Sequence, residues 1–183
     1  YYRAIAVAVA IFLSCFVTYT AWDFSRIATH NEAQSRFEFR AAQIGEAIRG
    51  RMGDYEQVLR GGAGLFAASE SVARHEWRSY VEHLRIQQVY PGIQGIGFAR
   101  RVPAAAKARH EQAVGVDIGS RYTVQPAGDR AEYFPVVFIE PFSGRNLRVF
   151  GFDLYSEEAR RIAMDRARDS GEPVISAKLT LVQ

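Results

Sequence analysis

The sequence predicts an α+β fold in which an N-terminal transmembrane helix and a long amphipathic stalk helix precede an antiparallel sheet with flanking helices. Three observations lead to this prediction. An uncharged apolar run opens the chain, a proline-free helical repeat follows it, and short apolar segments between turn residues fill the remainder. We therefore divide the chain into a membrane segment over 1–22, a stalk over 23–62 and a domain over 63–183.

The composition excludes several classes of protein. The 183 residues are 48% hydrophobic, which is enough for a packed core and too much for a disordered chain. The 23 basic and 20 acidic residues are interspersed, without the basic patch of a nucleic-acid-binding protein. Cys15 is the single cysteine, which excludes an intrachain disulfide and a thiolate metal cluster. Because the chain begins at Tyr1 without methionine and stops in a predicted strand at Gln183, we expect truncation at both ends and a domain that is incomplete at its C-terminal end.

The apolar run lies between Arg3 and Asp23 and is about 19 residues long, close to the length of about 20 that a bilayer span needs. Tyr19 and Trp22 sit where interfacial aromatic residues are expected. The alternatives are a buried core helix and a cleaved signal peptide, whose apolar region is usually shorter, at about 7–15 residues. Arg3 before the run favours an N-terminus inside the cell and a domain outside it.

The stalk is predicted from apolar residues that recur at intervals of three and four. They are Phe37, Ala41, Ile44, Ile48, Met52, Tyr55 and Leu59. The helix is expected to end at Gly61–Gly64. Its apolar seam either packs on the chain's own domain or pairs with a second copy, which would make a homodimer.

The domain is predicted to contain about five short strands and two or three helices, with strand Tyr133–Ile139 at its centre. The other predicted strands are Ile93–Val102, Arg121–Gln125, Leu147–Phe152 and Pro173–Val182. The predicted helices are Val72–Gln88 after a Ser71 cap, Ala104–Val114, and a helix from a Ser156 cap to Gly171.

No catalytic or metal-binding constellation is evident, and we expect no enzyme activity, cofactor or metal in this segment. The histidines (His30, His75, His83 and His110) are too far apart in sequence for a shared metal. The run Gly92-Ile-Gln-Gly95-Ile-Gly97 precedes a strand, whereas a dinucleotide loop joins a strand to a helix. Ser143 and Ser156 are explained by a turn and a helix cap.

What remains is a binding surface on the central strand. Phe134, Val136, Phe138 and Glu140 share one face of it, and Tyr133, Pro135, Val137 and Ile139 share the other. Arg148, Phe150 and Phe152 are predicted to line the next strand. Aromatic residues with one acid and one or two bases are typical of a small-ligand pocket, and equally of a plain core with polar rims.

Several motifs of the chain resemble the CHASE domain. They are Tyr90-Pro91-Gly92-Ile93, Glu132-Tyr133-x-Pro135-Val136, Glu140-Pro141, Asn146, Gly151-Phe152-Asp153-Leu154-x-Ser156, Gly171-Glu172-Pro173, Ser176 and Leu179–Gln183. The resemblance covers roughly Ala63–Gln183. It implies an extracytoplasmic sensor with PAS-like units, of which the membrane-distal one holds the ligand. It also implies a fused histidine kinase or diguanylate cyclase as output.

The resemblance also suggests site residues. Plant members bind adenine-type cytokinins through an acidic side chain after the Pro-Val strand and a hydroxyl on a later strand. Here Pro141 stands near the acidic position with Glu140 beside it, Ser176 matches the hydroxyl, and Lys178 replaces a proline, which disfavours a cytokinin-like ligand. The expected ligand-binding set is Phe98, Tyr133, Phe138, Glu140, Arg148, Phe150, Ser176 and Lys178. The expected structural set is Pro135, Pro141, Gly151, Asp153 (a loop anchor or helix cap) and Gly171.

We therefore expect the periplasmic, ligand-sensing part of a receptor in the bacterial inner membrane. Its partners would be a small molecule or peptide, the lipid bilayer and a second copy of the chain, and no nucleic acid. The alternative is a single-span accessory subunit that uses the same domain to contact a larger membrane complex.

Overall fold

The computed structural model describes residues 1–179, except for the side chains at positions 3, 4, 6, 8 and 24–33. Residues 180–183, and with them the last part of the predicted final strand, lie outside this description, as does the side chain of His30. The chain forms two compact units, Tyr1–Gly53 and Asp54–Gln183. The prediction of an α+β fold is confirmed by a mixture of helices and short antiparallel strands.

Helix α1 spans Tyr2–Ala67. The helices within the described part of the chain do not combine the length and apolar character that crossing a membrane requires. The prediction that α1 ends at Gly61–Gly64 is wrong, because these glycines are helical. A Cβ on Gly61 would lie 2.5 Å from the hydroxyl of Tyr80, and a Cβ on Gly62 would lie 3.6 Å from the ring of Trp77. The contact at Gly62 is ordinary, so it is Gly61 that allows a second helix, at Tyr80, to approach closely.

That second helix, α2, spans Arg74–Leu84, and a short helix, α3, spans Ile86–Val89. The predicted single helix Val72–Gln88 is therefore divided, at Arg85, whose φ of 50° is left-handed. The predicted Ser71 cap is wrong. The carboxylate of Glu76 instead accepts a hydrogen bond of 2.7 Å from the backbone N–H of Ala73, which satisfies one free donor of the first turn.

Within residues 1–179, four strands form two separate antiparallel pairs in place of the single predicted sheet. Strands β1 (Ile96–Ala99) and β2 (Val102–Pro103) replace the predicted strand Ile93–Val102. Strands β3 (Glu132–Tyr133) and β4 (Val136–Glu140) replace Tyr133–Ile139. β1 pairs with β4 and places Phe98 opposite Phe138, whereas β2 pairs with β3.

A 3₁₀ turn at Ala104–Ala106 leads into helix α4, Lys107–Ile118, which runs four residues past its predicted end at Val114. It ends at Gly119, which has a φ of 65°. The predicted strand Arg121–Gln125 is wrong. Its residue Gln125 makes an isolated bridge to Phe152, and its apolar side chains enter the core.

The predicted strand Leu147–Phe152 is also wrong, because a 3₁₀ helix spans Gly144–Arg148 and a turn follows it. Gly151 closes that turn with a φ of 83°, and a Cβ there would lie 2.7 Å from the carbonyl oxygen of Thr123. Asn146 is buried, and its amide donates to the carbonyl oxygens of Gln94 and Pro141. Tertiary hydrogen bonding therefore overrides the strand-like apolar pattern of this segment.

Helix α5 spans Glu158–Ser170 and ends at Gly171, whose φ is 74°. The predicted Ser156 cap is wrong, because Glu157 occupies the cap position and Ser156 closes a 3₁₀ turn over Leu154–Ser156. The described residues 173–179 of the predicted strand Pro173–Val182 have no strand structure.

The core lies where α2, α4 and the β1–β4 pair meet the C-terminal end of α1. Its largest aromatic residues are Trp77, Tyr122, Tyr133 and Phe138, all under 9% exposed. Phe66 of α1 stacks on Phe98 at 3.9 Å between ring centroids. All five residues of β4 are buried, so this strand is surrounded on both faces.

Candidate functional site

The candidate site is built around Glu140, the last residue of β4, which is 7% exposed. Its Oε1 accepts a hydrogen bond of 3.2 Å from Nε of Arg78 on α2. Its Oε2 accepts a hydrogen bond of 2.9 Å from the backbone N–H of Phe142, just past Pro141. A carboxylate this buried requires such partners, and they fix it at the junction of α2 with β4.

A cavity of about 220 Å³ opens beside this carboxylate. Its lining combines an apolar floor with charged and amide groups. The lining residues are Val81, Glu82, Arg85, Ile86, Gln87, Gln88, Glu140 and Pro141. We call this space the Glu140 cavity. A few polar groups directed into a space with an apolar floor suit a small polar ligand. Such a ligand would donate hydrogen bonds to Glu140, and would both donate hydrogen bonds to the glutamine amides and accept them.

The rim of the Glu140 cavity carries the one described non-glycine residue with a positive φ, Arg85. Bulky side chains in this region cost free energy and are held there by their surroundings. Here the conformation ends α2 and redirects the chain into α3, so that residues of both helices line the same space. Sequence reasoning missed Arg78 and the segment Arg85–Gln88, because these residues belong to a helix that gives no sign of its break.

Phe98 and Phe138 lie together, but as core residues. They face each other across β1 and β4, with 6.0 Å between ring centroids. Phe66 stacks on both rings, and Trp77 stacks on Phe138 at 6.3 Å. These two predicted site residues therefore pack among aromatic side chains, and the ring of Phe138 also contacts the guanidinium of Arg74, 5.1 Å from its centroid.

The other two predicted aromatic site residues, Tyr133 and Phe150, have different surroundings from Phe98 and Phe138. Tyr133 lies on β3, and its hydroxyl donates to the carbonyl oxygen of Gly128 at 2.9 Å. Phe150 makes edge contacts with Tyr122 and Phe142. Arg148, expected beside Phe150 on a strand, is exposed on a 3₁₀ helix.

Ser176 and Glu140 line different cavities, and the structure does not bring them together. Ser176 is half-buried against α5 in a space of about 380 Å³ that Ile162 and Arg166 also line. Lys178 is exposed. Among the described residues, no three His, Cys, Asp or Glu side chains gather as a metal site requires.

The residues expected to have structural roles lie at turns and junctions. Pro135 and Asp153 are the most deeply buried, and they form an isolated antiparallel bridge. Pro141 follows Glu140 at the end of β4, and Gly151 and Gly171 adopt the positive φ values described above.

Comparison with protein families identifies the sequence model that most of the chain matches. Residues 70–183, more than half of the chain, match the sequence model of the CHASE domain. This range contains α2 to α5, both strand pairs and the Glu140 cavity. A search of curated proteins found no match.

Proposed function

We propose that this chain senses a small ligand outside the cytoplasm. The premise is that the chain belongs to the CHASE domain family, whose members are sensory modules of receptors. The observation that carries the proposal is the Glu140 cavity, in which a buried, hydrogen-bonded carboxylate stands beside a small open space. The output would be a separate cytoplasmic domain, a histidine kinase or a diguanylate cyclase. This segment itself would perform no chemistry and need no cofactor.

A membrane anchor completes the proposal. The uncharged run after Arg3, with Tyr19 and Trp22 near its far end, supports a single span in a bacterial inner membrane. Arg3 supports a domain on the periplasmic side.

A ligand in the Glu140 cavity would contact α2, α3 and the end of β4 simultaneously. Its binding would therefore favour one position of α2 relative to β4 over another, which is a shift between populated states. α2 in turn packs on α1, where Tyr80 donates to the carbonyl oxygen of Val58 and Trp77 lies beside Gly62. A displacement of α2 would thus reach α1, the helix that leads towards the N-terminal apolar run.

The test is a thermal-shift screen of the 183-residue chain in detergent against purines, amino acids, organic acids and short peptides. A ligand at 100 times its dissociation constant should add about 2.7 kcal/mol to the free energy of unfolding. Glu140→Gln should abolish the shift for ligands that donate to the carboxylate. Glu70→Gln, at an exposed residue outside the cavity, should not change it.

Equal shifts in the wild type and in Glu140→Gln would contradict the assignment of the cavity. A folded wild-type protein without any ligand-dependent shift would favour the alternative, a subunit that contacts a larger membrane complex. Crosslinking in native membranes would then identify that partner.

A further inference from the structure

A second cavity, of about 210 Å³, lies between the start of α2, α4 and β4. Its lining includes Arg74, Arg100, His110, Asp117, Val137 and Phe138. Neither the predicted polar ligand contacts, Glu140 and Ser176, nor the rim residue Arg85 belongs to it. We propose that this cavity, here called the His110 cavity, binds a small organic acid through its carboxylate, independently of the Glu140 cavity.

The first cationic group is held rigidly. Nη1 of Arg74 donates to the carbonyl oxygen of Val137 at 2.9 Å, and Nη2 donates to Oδ2 of Asp117, also at 2.9 Å. The guanidinium also lies over the rings of Phe138 and Phe150, 5.1 and 5.2 Å from their centroids. Asp117 offsets the positive charge of Arg74, so the net charge of the cavity depends on a second cation.

That second cation is Arg100, directly after β1. Its backbone N–H donates to the carbonyl oxygen of Pro135, which fixes where the side chain starts. Its exposed guanidinium has neither a hydrogen bond nor an ion pair with any described residue. Glu111, the nearby acid of α4, is paired with Lys107. The cavity therefore carries an excess of one positive charge, which favours a monoanion.

The third group is His110, which is 8% exposed. Its Nε2 is buried and has no hydrogen-bond partner among the described residues. Burial, together with the neighbouring charge of Arg100, lowers the pKa of His110, which favours the neutral imidazole at neutral pH. A buried ring nitrogen without a partner is costly, and a ligand oxygen in the cavity would supply one.

The apolar part of the lining determines the rest of the ligand. Phe138, Val137 and Val114 form a wall next to the charged groups. The volume is below the range of about 300–1,000 Å³ that is usual for drug-sized molecules. The ligand class is therefore a monocarboxylate with a short apolar or single-ring body.

Benzoate is a suitable probe, and benzamide is its uncharged match of the same shape. Isothermal titration of the 183-residue chain in detergent should detect benzoate and give at least tenfold weaker binding of benzamide. Arg100→Gln should weaken benzoate binding about tenfold. Arg101→Gln, at the adjacent exposed arginine that pairs with Glu132 outside the cavity, should leave it unchanged.

The pH dependence provides a second readout. A bound carboxylate beside His110 raises the pKa of the imidazole, so binding takes up a proton, and benzoate affinity should rise as the pH falls from 8 to 6. The other charged groups near the ring are Arg74, Arg100, Asp117 and Glu111. Burial raises the pKa of Glu111, but its hydrogen bonds with Lys107 and the backbone N–H of Val124 lower it overall, away from this window. Burial raises the pKa of Tyr122 above its usual range. His110→Gln should remove the dependence, and His75→Gln, at an exposed histidine of α2, should retain it.

Three results would overturn the proposal. They are a folded wild-type protein that does not bind benzoate, equal binding of benzamide, and benzoate binding that neither Arg100→Gln nor His110→Gln weakens. Circular dichroism of each variant separates lost binding from lost folding. Glu140→Gln should bind benzoate normally, so that failure of the Glu140 cavity and failure of the His110 cavity can be distinguished.

Discussion

Asp153 connects three segments of the domain through one buried residue. Its side chain is 0% exposed, and Oδ1 accepts hydrogen bonds from the backbone N–H groups of Phe134 at 2.7 Å and Tyr155 at 3.1 Å. Its own N–H donates to the carbonyl oxygen of Gln125 at 2.6 Å. The residue thus fixes the approach to β4 and caps the 3₁₀ turn before α5.

The second carboxylate oxygen of Asp153 has a different environment. It lies 3.4 Å from Nη1 of Arg130, within ion-pair range but without hydrogen-bond geometry. Arg130 also lies over the ring of Tyr133, with 5.7 Å from its guanidinium carbon to the ring centroid. Arg130 therefore balances the charge of this buried acid.

Asp153→Ala should lower the free energy of unfolding by about 2–6 kcal/mol, because it leaves two partly buried N–H groups without an acceptor, at about 1–3 kcal/mol each. Asp153→Asn retains one acceptor oxygen and should lose less. Asp129→Ala, at an exposed acid nearby, should stay within about 0.5 kcal/mol of the wild type. Chemical denaturation measures all three. A similar loss at both positions would show that the hydrogen bonds of Asp153 do not carry its contribution.

The sequence predicted the role of Asp153 but not the residues that it contacts. The Gly-Phe-Asp-Leu motif pointed to an anchoring or capping role for Asp153, because acids commonly satisfy free N–H groups at turns. It could not show that one of the two donors, Phe134, lies 19 residues earlier. The pairing of Arg78 with Glu140 spans 62 residues, and no local pattern predicts such a contact.

At the scale of elements, the contact between α1 and α2 depends on glycine. Glycine inside a helix costs about 0.5–1 kcal/mol relative to alanine, so its presence in α1 needs a reason. Gly61 has one, since a Cβ there would lie 2.5 Å from the hydroxyl of Tyr80. Gly64, one turn later, would meet no atom within 4 Å.

Gly64→Ala should therefore raise the free energy of unfolding by about 0.5–1 kcal/mol. Gly61→Ala should lower it by about 1 kcal/mol or more, because the overlap with Tyr80 outweighs the gain in helix propensity. Adding Tyr80→Phe removes the overlapping oxygen and leaves the next ring atom at an ordinary 3.7 Å. Tyr80→Phe alone loses the hydrogen bond to the carbonyl oxygen of Val58, so it is the reference for the double variant. Adding Gly61→Ala to Tyr80→Phe should cost no further free energy of unfolding, as measured by denaturant unfolding. If Gly61→Ala cost as much in the Tyr80→Phe background as in the wild type, the close approach at Gly61 would not determine this contact.

The segment Leu147–Phe152 shows why short strands were predicted less well than helices. Its alternation of apolar and polar residues is typical of a strand, but strand pairing needs a neighbour with free backbone groups. Asn146 and Gly151 instead commit the chain to a 3₁₀ helix and a turn. Long helical repeats suffer less from this problem, because each helix satisfies its own backbone groups.

For the whole molecule, the sequence predicted the α+β class, the long first helix and the family. These depend on patterns that extend over many residues, which single tertiary contacts do not change. The sequence could not show that the predicted ligand residues are divided between the core, three cavities and the surface. Alternation along a strand indicates which residues share a face, but it cannot show whether that face meets a cavity or other side chains. The two boundaries between the three predicted segments, after residues 22 and 62, stay predictions.

The unit Tyr1–Gly53 exposes an apolar seam within its own part of α1. Phe37, Ile44 and Ile48 are 72%, 61% and 57% exposed, and Met52 continues the same series. Exposed apolar residues that recur along one helix at intervals of three and four are typical of a helix that pairs with a copy of itself. We therefore infer a parallel homodimer through this seam, which would bring two sensor domains to one receptor.

Cysteine crosslinking tests this inference directly. In a Cys15→Ser background, Ile44→Cys on the seam should form a disulfide-linked dimer under mild oxidation, because a parallel seam brings equivalent residues within the Cα separation of about 4.4–6.8 Å that a disulfide needs. Glu46→Cys is the control, since two residues along a helix turn the side chain to the opposite face. The experiment uses the 183-residue chain in membranes, with dimer formation measured on non-reducing gels. Equal crosslinking at both positions would indicate random collision. No crosslinking at Ile44 would contradict the homodimer and indicate that a different partner covers the seam.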